Sequence, residues 1–320
     1  MRNNSAATNT LEETDATLSE STTDDSGLGN EEHGVVTIVK LSLFFLIHAG
    51  CIGIIWVGWS WPALAACLAF YVIRMFAITG VYHRYFSHRS YKTSRWFQFV
   101  LAFIGTMSVQ KGPIWWAATH RHHHQHSDTP EDIHSVKEQG FWHAHVGWII
   151  SPDYLKIRTD LIKDFLKFPE LIWLEKNHAY GPLTLIAITL GLGAVLQSYY
   201  PASGVTPMQM FIWGFCVSTT FLYHCTFFIN SLAHTIGTKR FNTTDESRNS
   251  LFLSILTLGE GWHNNHHRYP GSERQGFYWW ELDITHYILT ALSWVGLVWD
   301  LRTPPERIYE EAKNTVIKPN

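Results

Sequence analysis

Cysteine is scarce in this 320-residue chain: Cys51, Cys67, Cys216 and Cys225 sit in apolar stretches with no C-x-x-C spacing. That excludes a disulfide framework and a thiolate metal site. Charge is absent from long stretches. Residues 41–59 and 183–200 carry no charged side chain, nor does 207–233, and 62–82 carries only Arg74. The mean hydropathy of −0.05 hides these runs behind a polar N-terminal region. Residues 1–33 hold eight acidic residues against one Arg and no apolar periodicity. This segment reads as a disordered acidic tail, and without a basic stretch followed by an apolar one it does not read as a signal peptide. Residues 34–320 hold 23 basic and 19 acidic residues, net +4, and no nucleic acid partner is expected. No internal repeat and no second domain is evident.

Each of the four runs is long enough to cross a hydrocarbon core of about 30 Å as a helix. They form two hairpins, turning around Ser60 and at 199–207. Neither turn carries Lys or Arg. The 24 basic residues divide as two before the first run, Arg74, 12 in 82–181 and nine after 234. The positive-inside rule then places both termini and the 82–181 segment in the cytoplasm. The fold class expected is an all-α integral membrane protein, with four transmembrane helices in two hairpins and a helical cytoplasmic cap.

Histidine is abundant, with 19 in the chain, mostly clustered. The clusters are HRYFSH (His83, His88), HRHHH (His120, His123, His124) and HNNHH (His263, His266, His267); NSLAH adds Asn230 and His234. At about 100° per residue, H-x-x-H-H places its three histidines at about 0°, 300° and 40°, on one helix face. His122 and His126 fall opposite, at about 200° and 240°. Asn230 and His234, i and i+4, share a face. HRYFSH spans about 140° on an α-helix and needs a helix end, a kink or two separate metals. His83 and His234 follow directly on inward-running spans, so all the clusters can meet just inside the membrane surface. Imidazole suits Fe, Zn, Cu and Ni. Nine histidines exceed what one zinc needs and suit two metals with open positions. His48 and His224 read as hydrogen-bonded core residues, and His33 as a tail residue. His134, His143, His145, His178 and His286 read as surface groups or supports for the ligands. Two E-x-x-H strings, Glu131–His134 and Glu175–His178, resemble carboxylate di-iron motifs but lack bridging Glu partners.

The three boxes resemble those of integral-membrane fatty acid desaturases. The flanks GVYHRYFSHRSYKTS, DIHS, GFWHAHVGW, NSLAH and GEGWHNNHHRYP are similar to the stearoyl-CoA Δ9-desaturase branch, of bacterial type, over roughly 36–300. The resemblance implies a four-span mushroom with a cytoplasmic histidine-rich di-iron site. Its ligands would be His83, His88, His120, His123, His124, His234, His263, His266 and His267, with Asn230 acting through a water. It implies O2 as co-substrate and a cis double bond, Δ9, placed in a long-chain saturated acyl group, with acyl-CoA as the expected carrier. Trp116, one turn before His120, is the candidate tunnel wall. The domains expected are the 1–33 tail, a membrane desaturase domain at 34–303 and a cytoplasmic C-terminal tail at 304–320.

The animal acyl-CoA branch has an Arg-Asp pair before the second box, where this chain has Ala118 and Thr119. It also has basic residues after H-V-G-W, where this chain has Ser151 and Pro152. Acyl-ACP and membrane glycerolipid therefore stand beside acyl-CoA. With no H-P-G-G haem segment or cysteine cluster, electrons are expected from a separate ferredoxin or cytochrome b5 type donor. A di-iron hydroxylase or alkane monooxygenase, and a membrane metal handler, are the competing readings. The latter would place its ligands near the bilayer midplane.

Overall fold

The structure is a computed structural model that describes residues 35–314, with side chains from residue 42 onward except at position 152. The acidic tail lies outside the described residues. Eleven helices carry the description: α1 (Val35–Gly50), α2 (Trp61–Ser87), α3 (Arg95–Thr106), α4 (Pro113–His126), α5 (Phe141–His145), α6 (Pro169–Lys176), α7 (Tyr180–Tyr199), α8 (Pro207–His234), α9 (His263–Arg268), α10 (Ile284–Trp294) and α11 (Glu306–Asn314). Three are long and apolar enough to cross a membrane: α2, α7 and α8, of 27, 20 and 28 residues. The first apolar run continues from α1 through a tight turn at Cys51–Gly53 and a short helix, and its apolar helical part covers Ser42–Val57.

The two hairpin turns are tied together. Ser60 caps α2 by accepting from Ala63 N, and its hydroxyl donates to Gln209 Oε1 at 2.7 Å. Gln209 Nε2 donates to Val57 O at 2.8 Å, and Trp213 Nε1 to Gly58 O at 2.9 Å. Pro62 and Pro207 sit in the first turns of their helices, where the missing N–H is tolerated.

The charge inside α2 has a structural use. Arg74 is buried and donates to Thr219 Oγ1 at 2.7 Å, Ser218 Oγ at 2.6 Å and Met107 O at 3.3 Å. Met107 opens a non-helical stretch between α3 and α4. Tyr223 supplies a donor to Val109 O at 2.9 Å, and Tyr82 one to Lys111 O at 3.4 Å. Irregular backbone among apolar helices needs such internal partners.

Two features aim the boxes. The last 11 residues of α2, Ala77–Ser87, are π-helical. His88 N donates to His83 O at 3.2 Å, an i→i+5 bond. This backbone brings residues five apart to the same side, so the 140° splay of an α-helix does not arise. The start of α4 is capped from a distance: Glu175 Oε2 of α6, buried, accepts from Ile114 N at 2.8 Å and Trp115 N at 3.1 Å. A Cβ at Gly112 would lie 2.3 Å from that oxygen, so the cap requires glycine there. Glu175 thus belongs to the helix scaffold.

The end of α2 is held to the third box by a buried ion network. Arg84 donates to Glu260 and Asp283 at 3.0 Å each and to Glu273 O at 2.6 Å, joining α2 to the third box and to α10. Strands β1 (Lys92–Thr93) and β2 (Val298–Trp299) pair antiparallel. Within the 304–320 segment, α11 docks by Ile308 against Phe241 and Phe277, and Arg268 of α9 bonds Glu311 at 2.7 Å.

Candidate metal centre

The nine box histidines converge as two groups. His83, His88, His120, His124 and His266 form one, and His123, His234, His263 and His267 the other; within each, the ring nitrogens lie within 4.8 Å of one another. His83 and His88 are in the same group, which answers the two-metal alternative for that box. The single-face reading of H-x-x-H-H is refined. His120 and His124, 40° apart on the wheel, enter the first group, while His123, on the far flank, enters the second. His266 joins the first group and His263 and His267 the second.

The Nε2 atoms face each other at 3.0 Å (His83–His266), 2.9 Å (His88–His120), 3.0 Å (His120–His124) and 2.9 Å (His124–His266). In the second group His234 and His263 face at 3.1 Å. Two nitrogens bound about 2.1 Å from one ion at right angles would stand about 3.0 Å apart. His267 Nε2 is buried with no hydrogen-bond partner, while its Nδ1 pairs with Asp245 Oδ2 at 2.6 Å. These residues fit a metal pair.

Carboxylates fix the outer edges of the rings. His123 Nδ1 faces Asp132 Oδ2 at 3.0 Å, His234 Nδ1 faces Asp128 Oδ2 at 3.0 Å, and His83 Nδ1 pairs with Glu260. An Nδ1–H held by a carboxylate leaves the Nε2 lone pair pointing inward. Burial holds His88, His120, His124, His263 and His266 well below the ordinary histidine range, so these rings stay neutral, as metal ligands must. Burial also lowers His267 to about 4 against the pull of Asp245. Burial works against the Asp132 carboxylate, yet His123 and His134 keep it below its usual range.

A cavity of about 50 Å³ opens between the groups, walled by Met75, Ile78, Thr226 and Asn230 and touched by Glu260. Asn230 therefore faces the same space as His83, His120, His123 and His263. Trp116 lines this cavity and also a second one of about 150 Å³. Its ring stacks on His120 at 5.2 Å, and its Nε1 donates to Gln110 Oε1 at 3.2 Å.

The remaining histidines are elsewhere. His122 and His126 pack on each other at 4.6 Å, outside both groups, and burial lowers His122 to about 4. His134 stands 3.3 Å from Asp132. His48, His224 and His145 are linked in a row, at 3.2 and 3.0 Å, ending on Ser231 at 3.0 Å. His143 bonds Ile133 O, His178 bonds Glu175 O and His286 bonds Glu273. Sequence reasoning missed the supporting carboxylates Asp128, Asp132, Asp245 and Glu260. The only signal was their presence in polar stretches beside boxes, without helical spacing.

The fatty acid desaturase family model matches residues 59–299. The chain belongs to the fatty acid desaturase family. The chain is 35% identical over 272 residues to the Delta-9 acyl-lipid desaturase 1 of Arabidopsis thaliana, covering 84% of each chain. It is 35% identical to the sn-1 stearoyl-lipid 9-desaturase of Anabaena variabilis, over 82% of this chain and 92% of that protein. It is also 34% identical to the Acyl-CoA C20 Delta5-desaturase of Anemone leveillei, over 77% and 76%.

Proposed function

We propose that this desaturase introduces a cis double bond at C9 of a saturated long-chain acyl group. The balance is one –CH2–CH2– unit, O2, two electrons and two protons giving –CH=CH– and two waters. The observation that carries the reading is the convergence of nine imidazoles into groups of five and four beside an apolar cavity. The five-histidine and four-histidine groups would each hold an iron, with Asn230 acting on the second through a water. Bound there, the iron pair supplies the oxidising power that unactivated methylenes require. The chain's own residues do the rest. Asp128, Asp132, Asp245 and Glu260 hold ring orientation. Trp116, Met75 and Ile78 shape the space in which the chain must lie and exclude water from it.

For the carrier, acyl-lipid is favoured over acyl-CoA. Ala118 and Thr119, which replace the Arg-Asp pair, are 0% and 6% exposed and cannot meet the phosphates of CoA. Relatives of similar identity bear acyl-lipid and acyl-CoA names alike. The desaturase would span the membrane four times, with α1 entering the first span, and face the cytoplasm with its metal centre and both termini. A separate ferredoxin or cytochrome b5 type protein would supply electrons.

The test is expression in a host supplying such a donor, with double-bond location in the fatty acids of separated lipid and CoA fractions. New C16 or C18 monoenes at C9 that appear first in glycerolipids support the reading. Monoenes first in the CoA pool would restore acyl-CoA as carrier, and hydroxylated chains would replace desaturation with hydroxylation.

A further inference from the structure

The cavity of about 150 Å³ on the far side of Trp116 is apolar on most of its wall. It is of the size at which an apolar space in a protein takes up a small hydrocarbon guest. Two nitrogen groups break that character. One is Trp148, 7% exposed, whose indole N–H is buried and has no hydrogen-bond acceptor. A buried N–H left without an acceptor is costly, so such groups call for a partner. The other is Lys111. Its ammonium donates to Tyr154 O at 2.6 Å and lies 4.3 Å from the Trp115 ring and 4.1 Å from the Tyr154 ring. The aromatic cage fixes a positive charge on the cavity wall. Trp148 stacks on Trp115 at 6.4 Å and packs on Tyr154 at 5.3 Å, so donor and charge belong to one aromatic cluster on the cavity wall.

We propose that this cavity holds the carbonyl end of the acyl substrate, with the Trp148 indole N–H donating to the carbonyl oxygen on the wall that Lys111 makes positive. The proposal rests on the desaturase reading and adds to it the residue that fixes where along the chain the bond forms.

Distance along α4 supports it. Trp115 marks the donor level, and His120 and His123 lie five and eight residues further along the same helix. At 1.5 Å per residue these are about 7.5 and 12 Å away. The carbonyl carbon and C9 of an extended chain are eight bonds apart, about 9–10 Å at the pitch of an extended covalent chain. With the carbonyl held at Trp148, C9 falls between the levels of the two histidines, beyond Trp116, which lines both cavities. An ester and a thioester present the same oxygen, so the site serves either carrier.

Trp148→Phe keeps the ring and removes the donor. Expressed with the electron donor, wild-type desaturase should place its double bond at one position. In the variant the share of product unsaturated one carbon to either side should rise about three- to tenfold, the range one neutral hydrogen bond supports. The apparent KM should rise by a similar factor with kcat less affected. Lys111→Met should move the isomer ratio the same way, and Lys111→Arg should bring it back. A structural loss would lower bound iron and total product without moving the ratio. If Trp148→Phe accumulates poorly, wild-type enzyme is given an octadecyl ether lipid, in which CH2 replaces the carbonyl. The same spread of positions is then expected. A wild-type isomer ratio in Trp148→Phe, or with the ether lipid, overturns the proposal and leaves desaturation standing. A wild-type chain that makes no unsaturated product overturns the desaturase reading and this proposal with it.

Discussion

Helices α4 and α9 carry the same H-x-x-H-H spacing and use it in opposite senses. From α4, His120 and His124 go to the five-membered group and His123 to the four-membered one. From α9, His263 and His267 go to the four-membered group and His266 to the five-membered one. Each helix thus contributes its i, i+4 pair to one site and its i+3 residue to the other. The groups differ only in what is added: the end of α2 and the residue after it give His83 and His88 to the first, and α8 gives His234 to the second. Asn230, one turn before His234, lines the cavity that touches both groups. Neither helix can be moved without disturbing both sites.

The largest effect should come from separating the inward and outward faces of α4. His123→Ala should lower activity at least about a hundredfold and reduce bound iron, whereas His122→Ala should keep most of both, by product analysis and metal quantitation. Equal losses would break the division of the helix. A smaller effect compares the groups. His267→Ala leaves three imidazoles and should retain less iron than His88→Ala, which leaves four. The reverse order would mean that group size does not set retention. Next is support: Asp245→Asn should weaken metal binding about 10–100-fold, read by competition with a chelator, because His267 loses the carboxylate that orients it.

The smallest effect lies outside the centre, where α4 is tied to the 159–168 segment. Arg121 pairs with Asp164 at 2.9 Å, and Arg89 pairs with the same carboxylate at 2.9 Å. Burial alone would raise the Asp164 carboxyl, but Arg121 and Arg89 hold it below its usual range. A depressed carboxyl stabilises the fold above its unfolded value of about 3.9 and loses that contribution as pH falls through the folded value. Asp164→Asn should therefore lower the melting temperature by a few degrees at pH 7, about 1 kcal/mol for a partly exposed pair. The difference from wild type should shrink below about pH 4. A constant difference across pH would remove the ion pair as the cause.

The positions of the box histidines were legible because imidazole at fixed spacing has few other uses and because two boxes obey the α-helical wheel. HRYFSH was not resolved by the wheel, since its geometry belongs to a π-helix that no residue type signals. The split of each H-x-x-H-H between two groups was also hidden: an arc of about 100° is one face to a periodicity count and two flanks to a metal pair. Asp128, Asp132 and Asp245 serve rings from polar loops, and Asp128 reaches His234 across 106 residues of sequence. Glu175 was read as a stray E-x-x-H, whereas it caps the helix that carries the second box. The four apolar runs were visible by length. Three of them form helices that meet the length and composition for crossing a membrane, and the first forms a shorter apolar helix, Ser42–Val57, with a 3-10 segment at Cys51–Gly53.

The π-helical end of α2 also constrains how this sequence can change. It makes the number of residues between His83 and His88 a protected quantity, beside the identity of Arg84, which carries the buried ion network. Tyr85 and Phe86 pack against Phe165, a contact that other aromatic or large apolar side chains could fill. Loss of one residue from this interval would let the backbone relax to i→i+4 bonding and swing the remaining histidine about the axis, away from its four partners. At Tyr85 and Phe86 the chain should tolerate substitution and not deletion, the reverse of what surface loops allow.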